Sequence, residues 1–280
     1  DGVPGGVGGQ LGGGGGGYEA QERRGDGAVT GHAVGFGEHR QLFEVGEFPE
    51  VDLLRELAAD GVGQRLVVAE PAALLGCDVV VRSPGISRYR PENARLAEAG
   101  VRLTTGTDIW FAENPDAPTI GITGTKGKST TSALVAHLAG ARGLRVRLAG
   151  NIGRPLVDLL TEDPGDVDLW VLELSSFQTS DLRHSPRVGV LLNLYREHTD
   201  WHGSQERYWA DKLALFGHRA DMRSVVNAAD PEIRARAAAF PHPVWFRAPG
   251  GFDVAPSGIT CAGAPHLGRS DIPLAGDHNL

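Results

Sequence analysis

The segment Thr119-Ile-Gly-Ile-Thr-Gly-Thr-Lys-Gly-Lys-Ser-Thr-Thr131 leaves the chain little local choice: a short apolar strand runs into a glycine-bearing turn and at once into a helix. Ile120 and Ile122 supply the strand, Gly124 and Gly127 let backbone N–H groups turn inward, and the helix from Ser129 aims the positive end of its dipole at the same point. In the pattern G-x-x-x-x-G-K-[ST], Lys128 reaches the outer phosphates of a nucleotide and Ser129 or Thr130 offers a hydroxyl to Mg²⁺. The first glycine of that pattern should fall at Ile122, whereas Gly121 sits one residue early. A glycine-rich turn with an incidental lysine is the competing account; the strand before it and the helix after it weigh against that.

Asn114-Pro-Asp-Ala-Pro118 places two prolines beside Asn and Asp, which stops both a helix and a central strand, so a domain boundary is expected there. Upstream, spacing predicts a helix over 51–59, short buried strands over 64–69 and 77–81, a helix over 91–99 capped by Gly100, a strand over 101–103 and a helical turn over 108–113. Downstream, the helix after the glycine turn carries an apolar stripe of Ala133, Leu134 and Leu138, and strands are predicted over 144–149, 167–174, 188–194 and 224–226. Nearly continuous apolar strands alternating with helices imply a parallel sheet covered on both faces. Thr123, Asn151, Glu173, His198 and Asn227 then lie at or just past strand carboxyl ends, the edge where such sheets bind ligands. Ser83-Pro-Gly-Ile86 ends an upstream strand in the same way, although an ordinary Pro-Gly turn has the same spacing.

A net charge of −8 over 280 residues opposes a nucleic-acid surface, so phosphate recognition must be local to a site. At 41% apolar the chain can bury a sizeable core, and no run approaches the roughly 18 apolar residues of a membrane span. Cys77 and Cys261 are too few for a disulfide framework and are expected to be small buried hydrophobes in a reducing cytoplasm. Residues 1–17 hold eleven glycines and are expected to stay disordered. The start at Asp1 and the stop at Leu280 in mid-pattern suggest a chain incomplete at one or both ends.

Three positions carry chemistry. Glu173 ends an apolar strand, where a carboxylate is costly unless paired or metal-bound, and Mg²⁺ beside phosphates is the natural partner; a solvated strand-end glutamate is the alternative. Glu197-His-Thr-Asp-Trp-His202 offers two histidines and two carboxylates, enough for a hard cation or a phosphate, with polar loop histidines equally open. Lys212 follows Tyr208-Trp209 on a predicted helix, where pattern alone favours a surface lysine lying over its apolar neighbours.

With these residues the chain resembles the Mur ligase superfamily, the ATP-dependent amide-forming enzymes of peptidoglycan precursor synthesis. Gly124, Thr125, Lys126, Gly127, Lys128, Ser129 and Thr130 resemble its phosphate loop, Gly150-Asn-Ile-Gly153 its next turn, and Glu173-Leu-Ser-Ser-Phe-Gln178 its magnesium segment. The last form, with Ser83-Pro-Gly-Ile86 upstream, is similar to the glutamate-adding branch. Glu197-His-Thr-Asp-Trp-His-Gly203 resembles the metal-binding histidine segment, Lys212 falls where the family carries a carbamylated lysine, and Gly276-Asp-His-Asn279 looks like the start of the adenine-side motif.

The resemblance, which spans roughly residues 82–280, implies an α/β fold: a partly degenerate Rossmann-like N-terminal domain, then a phosphate-loop parallel-sheet ATPase domain, truncated before a C-terminal domain. Residues 1–48 would be poorly ordered, 49–113 would bind the UDP-sugar, and 114–280 would form the central ATP-binding domain. It implies ATP, two Mg²⁺ ions and a carbamate on Lys212 as cofactors, and a cytoplasmic monomer. Its substrates would be UDP-N-acetylmuramoyl-L-alanine and glutamate, D-glutamate by default, joined through an acyl phosphate. Catalytic roles then fall to Lys128, His198 and Lys212, and metal binding to Ser129, Thr130, Glu173, His198 and Lys212. ATP would be held by the loop and Asn279, and the acceptor by Ser83, Pro84, Gly85, Asn151, Ser175 and Gln178. Lys126 stands where the branch commonly has Asn, which together with the histidine segment resembles a variant that adds L-glutamate. Residues 1 to about 48 do not resemble the family's uridine-binding start. A folylpolyglutamate synthase-like ligase and a non-catalytic nucleotide-binding fragment are the alternatives.

Overall fold

The computed structural model describes residues 33–34, 71–160 and 164–271, which belong to one compact unit of the chain from Gly31 onward. The helix expected over 51–59, the strand over 64–69, the glycine-rich start and Asn279 lie outside the described residues.

A small sheet comes first. Strand β1 (Ala33–Val34) runs antiparallel to β2 (Val79–Arg82), which pairs in parallel with β3 (Arg102–Thr104). Between them, helix α1 (Pro91–Glu98) starts on a proline whose missing N–H costs nothing at that position, and it ends where Gly100 takes φ +85°. Leu74, Val80, Leu96 and Val101 form the core beneath it. Helix α2 (Gly106–Glu113) is capped by the Thr105 hydroxyl, which accepts from Asp108 N, and buries Ile109, Trp110 and Phe111 in succession. A helix apolar on adjacent positions must be enclosed, and Trp110 meets Trp170 at 5.1 Å between ring centres.

Six parallel strands follow: β4 (Thr119–Thr123), β5 (Val146–Gly150), β6 (Leu169–Glu173), β7 (Val188–Leu191), β8 (Arg223–Asn227) and β9 (Pro243–Phe246). Their spatial order is β5-β6-β4-β7-β8-β9. The chain moves away from β4 in one direction to β5 and β6, then reverses to β7, so the carboxyl end of β4 lies at the switch point of the sheet. One face packs Trp110, Leu172, Leu174, Leu191 and Phe216; the other packs Ile122, Val171 and Val190 against Val135 and Ala136 of helix α3 (Lys128–Ala141). An antiparallel meander, β10 (Phe252–Ala255), β11 (Gly258–Cys261) and β12 (Ala264–Gly268), comes after β9 and had no counterpart in the sequence reading. No helix of the described residues is long and apolar enough to cross a membrane.

Two expectations are corrected. The apolar stripe of α3 is not Ala133, Leu134 and Leu138: Leu138 is 62% exposed and Leu134 is also exposed, while Val135 and Ala136 pack on the sheet. The glycine turn fixes where α3 starts and hence its rotation. Cys77 and Cys261 are both only partly buried, and neither forms a disulfide.

Asp108, 3% exposed, joins α2 to the segment around residue 183: it accepts from Arg183 N at 2.8 Å and Arg183 Nε at 2.9 Å, with His184 Nδ1 at 3.2 Å. Burial alone would raise its carboxyl, but the His184 and Arg183 hydrogen bonds and the Arg183 charge outweigh it and hold the group below the usual carboxylate range. A folded-state pKa below the unfolded one gives stability that is complete above about pH 4 and lost as the pH falls through the depressed value. Asp108→Ala is expected to destabilise the protein by about 3 kcal/mol at pH 7 in urea unfolding, with the difference shrinking below about pH 4.

Candidate active site

The loop after β4 is built for close approach. Gly124 takes φ +155° and Gly127 φ +86°, and α3 begins with Gly127 as its cap residue and no side-chain cap. Its first-turn N–H groups are therefore left for an anion. Gly121, the glycine one residue early, plays a different part. A Cβ there would lie 2.8 Å from Pro186 Cγ, so it is a packing glycine of the sheet.

Asn193 clamps the loop from β7. Its Oδ1 accepts from Lys126 N at 2.8 Å, its Nδ2 donates to Lys126 O at 3.0 Å, and its own carbonyl accepts from Thr125 N at 3.0 Å. The Thr125 hydroxyl, buried, accepts from Tyr195 N at 2.9 Å and bonds Tyr208 Oη at 2.9 Å. Sequence reading missed Asn193 and Tyr208. A polar side chain inside the apolar run Leu192-Asn193-Leu194 was the available signal for the first.

Two lysines converge on this loop. Lys128 Nζ donates to Gly124 O at 3.0 Å and Thr125 O at 3.1 Å. Lys212, from helix α6 (Gln205–Leu213), is 1% exposed and donates to Gly124 O at 3.1 Å and Thr123 Oγ1 at 3.4 Å. The surface position favoured by pattern is thus replaced by a buried one: α6 turns Lys212 toward the loop. Burial lowers the pKa of both ammonium groups; for Lys212, burial and then the nearby Lys128 bring it to about 7.

Glu173 faces the same region from β6. A Cβ on residue 150 would lie 2.3 Å from Glu173 O, so only glycine lets the end of β5 pass so close. Glu173 is 1% exposed; one oxygen accepts from Asn151 Nδ2 at 2.8 Å and the other, Oε2, has no hydrogen-bond partner among the described residues. A buried carboxylate oxygen without a partner is costly and suits a cation. Among the described residues no three His, Cys, Asp or Glu side chains form a metal cluster. The donor set that remains, one carboxylate with the exposed hydroxyls of Ser129 and Thr130, fits Mg²⁺ completed by phosphate oxygens and water, and does not fit zinc.

The histidine segment divides. His198 adopts φ +53°, a left-handed conformation rare outside glycine, as cap of α5 (Thr199–His202), and its half-exposed ring lies edge-on to Phe177. Burial lowers its pKa, and Glu197, whose Oε2 is 3.4 Å from His198 Nε2, opposes that shift. Glu197 also pairs with Lys126. His202 is fully buried, with Nδ1 2.5 Å from Asp211 Oδ2 and Nε2 3.0 Å from Ser176 Oγ. Both its nitrogens are engaged within the protein.

Of the residues expected to meet the acceptor, Asn151 sits on Glu173, while Ser175 and Gln178 cap α4 (Ser176–Thr179) reciprocally. Gln178 is buried and also reaches Thr107 Oγ1 at 3.5 Å. Ser83, Pro84 and Gly85 form a turn closed by Ile86 N donating to Ser83 O at 3.0 Å. Asn227 holds Leu192 O at 3.0 Å, one residue from the Asn193 clamp.

Residues 122–253 match the Mur ligase middle domain. Over 242 residues the chain is 40% identical to the UDP-N-acetylmuramoyl-L-alanine--L-glutamate ligase of Xanthomonas campestris pv. campestris (strain 8004), covering 83% of this chain and 52% of that protein. It is 42% identical over 214 residues to the protein of the same name from Xylella fastidiosa (strain 9a5c), covering 74% and 46%. It thus spans about half the length of the curated relatives it matches. Among solved structures it shares its fold with the UDP-N-acetylmuramate:L-alanyl-gamma-D-glutamyl-meso-diaminopimelate ligase from Neisseria meningitides. That likeness has a TM-score of 0.52 and 20% identity over 84% of this chain and 80% of that one.

Asn193→Ala removes both side-chain bonds that fix the Lys126 peptide. Calorimetric titration with ATP and Mg²⁺ is expected to show affinity about tenfold weaker, with thermal stability little changed.

Proposed function

Since the chain belongs to the Mur ligase family through the middle domain at residues 122–253, we propose that it is the nucleotide-binding part of an ATP-dependent ligase. In this reading it joins glutamate to UDP-N-acetylmuramoyl-L-alanine in peptidoglycan precursor synthesis. The observation that carries this is the convergence of Lys128 and Lys212 on Gly124 O, facing an unpartnered buried oxygen of Glu173. That charge set suits a polyphosphate with its cation. The relatives' names favour L-glutamate as the incoming amino acid, the alternative branch indicated by Lys126 and the histidine segment, over the D-glutamate default. The division at 49–113 for the UDP-sugar and 114–280 for the nucleotide is retained as part of this proposal, as are a cytoplasmic location and a monomeric state.

ATP and Mg²⁺ supply a transferable phosphoryl group and neutralise its charge. The protein's own contribution is positional and electrostatic. Lys128 and the first-turn amides of α3 hold the β- and γ-phosphates, and Asn193 and Tyr208 keep the loop in place through Lys126 and Thr125. Glu173 with Ser129 and Thr130 would hold the cation, and His198, in its left-handed turn, lies within the field of Lys128 and Lys212. The L-alanyl carboxylate attacks the γ-phosphorus and ADP leaves. The glutamate amine then attacks the activated carbonyl carbon, phosphate departs and the amine gives up a proton.

Among the described residues no carboxylate forms an ion pair with Lys212, the charge of Glu197 only partly offsets its burial, and its depressed pKa of about 7 leaves a sizeable neutral-amine fraction at neutral pH. A neutral amine adds to CO₂ with loss of one proton, and the resulting carbamate would present anionic oxygen where a buried ammonium now sits beside Lys128. Lys212→Ala is expected to lose at least about 100-fold in turnover and to regain part of it with short-chain carboxylic acids.

The deciding measurement is phosphate release from ATP by the protein produced from its complete gene. It is run with UDP-N-acetylmuramoyl-L-alanine and L-glutamate, D-glutamate, or no amino acid. Release that depends on L-glutamate is expected. ATP binding without amino-acid-dependent release would overturn the ligase reading in favour of a nucleotide-binding module, and stimulation by a folate would point to a folylpolyglutamate synthase.

A further inference from the structure

A relay that is buried except at Tyr89 joins the two sides of the site without touching the phosphate loop. Tyr89 Oη donates to Asp211 Oδ1 at 2.8 Å, Asp211 Oδ2 lies 2.5 Å from His202 Nδ1, and His202 Nε2 lies 3.0 Å from Ser176 Oγ. Ser, His and Asp in this order form a nucleophilic triad where the serine is open to substrate. Here Ser176 is 3% exposed and His202 is 0%, so no substrate reaches them. What the relay connects is more informative. Tyr89 belongs to the segment that follows the Ser83–Ile86 turn, Asp211 precedes Lys212, and Ser176 opens the helix three residues after Glu173.

A second set of contacts holds the same turn. Trp201 Nε1 donates to Gly85 O at 3.3 Å, and Ser87 Oγ donates to Trp201 O at 2.5 Å. The Trp201 ring packs on Phe177 at 4.8 Å and edge-on to Tyr89 at 6.3 Å. On the far side Arg82 and Arg88 both pair with Asp181, just beyond α4. Apart from the Trp201–Phe177 packing, which joins α5 to α4, these contacts tie the segment 82–89 to α5, to α6 or to Asp181 just past α4, the elements that carry or adjoin His198, Lys212 and Glu173.

We propose that Tyr89 and Trp201, with the Asp211–His202–Ser176 relay behind them, are positioning residues that hold the Ser83–Ile86 turn in register with the phosphoryl-transfer site, so that an acceptor bound by the turn presents its carboxylate there. This rests on the ligase reading for the identity of the acceptor; the mechanical link stands on the contacts above. Charge plays a secondary part, because the Asp211 carboxylate is already met on one oxygen by Tyr89 and on the other by His202.

The probes are Tyr89→Phe and Trp201→Phe, singly and together, since each deletes one hydrogen bond of a partly exposed ring and keeps an aromatic ring in place. Two readouts are needed. Amide hydrogen exchange over residues 83–90 of the free protein is expected to speed up about tenfold in the double variant, with no change over residues 120–131. In turnover, KM for UDP-N-acetylmuramoyl-L-alanine is expected to rise about tenfold while KM for ATP stays within about twofold. Unchanged exchange over 83–90 would overturn the inference whatever the substrate, as would an equal rise in both KM values. If exchange responds but the parent protein neither binds nor turns over the UDP-sugar in calorimetry and phosphate release, the ligase reading fails and the acceptor assignment with it, leaving the mechanical link alone.

Discussion

Two ammonium groups share one carbonyl oxygen, and the rest of the site follows from that arrangement. Lys128 and Lys212 both donate to Gly124 O, at 3.0 and 3.1 Å. Among the described residues neither is in an ion pair, the charges of Glu173 and Glu197 offset their burial only in part, and Lys212 is almost wholly out of water. Taking a cation out of water without a counter-charge is costly, and the lowered pKa of each group records that cost. Facing them is the converse defect, a carboxylate oxygen of Glu173 with no donor. An anion beside the lysines and a cation beside Glu173 would relieve both, and a nucleoside triphosphate with Mg²⁺ brings the two together.

The sheet makes the arrangement possible. Because β4 is flanked by β6 and β7, the phosphate loop, Glu173 and Asn193 emerge from three adjacent strands at their carboxyl ends. Gly150 allows β5 to press against the Glu173 carbonyl, and Asn151 immediately after it restrains the side chain. Lys212 and His198 come from segments that follow β7, so residues far from the loop in sequence meet it, Lys212 through Gly124 O, while Lys126, Gly127, Ser129 and Thr130 stay exposed. The histidine at φ +53° is the local strain expected where such a segment must reverse sharply.

Much of this was legible in the sequence, for reasons that differ by residue. The strand, loop and helix around Lys128 are encoded within thirteen consecutive positions, and continuous apolar runs announced β4, β6 and β7 because those strands are covered on both faces. Lys212 on pattern alone resembled a surface residue, since its burial depends on α6 packing over a loop more than 80 residues away. The split between His198 and His202 was equally hidden: four residues apart in one segment, one opens to the site and the other is locked by Asp211 and Ser176. Local spacing carries no information about such distant partners. The β10–β12 meander was missed because its strands are short and mostly only partly buried or exposed, with little apolar alternation to reveal them.

Helix α3 shows which constraint prevails when two compete. Its apolar residues, taken alone, would turn Leu134 and Leu138 inward; instead both are exposed, and Ser132 is buried with its hydroxyl unpartnered. Burying two leucines would contribute a few kcal/mol, so the observed rotation must be set by something that the helix cannot give up. That is its first turn. Lys128 must leave Gly127 in the direction of the loop carbonyls, and one residue of rotation would swing its Nζ and the free N–H groups about 100° away. The helix is therefore oriented by its loop-facing end and accepts poorer packing along its length. This is the local conflict between burial and a site that is expected where function fixes geometry.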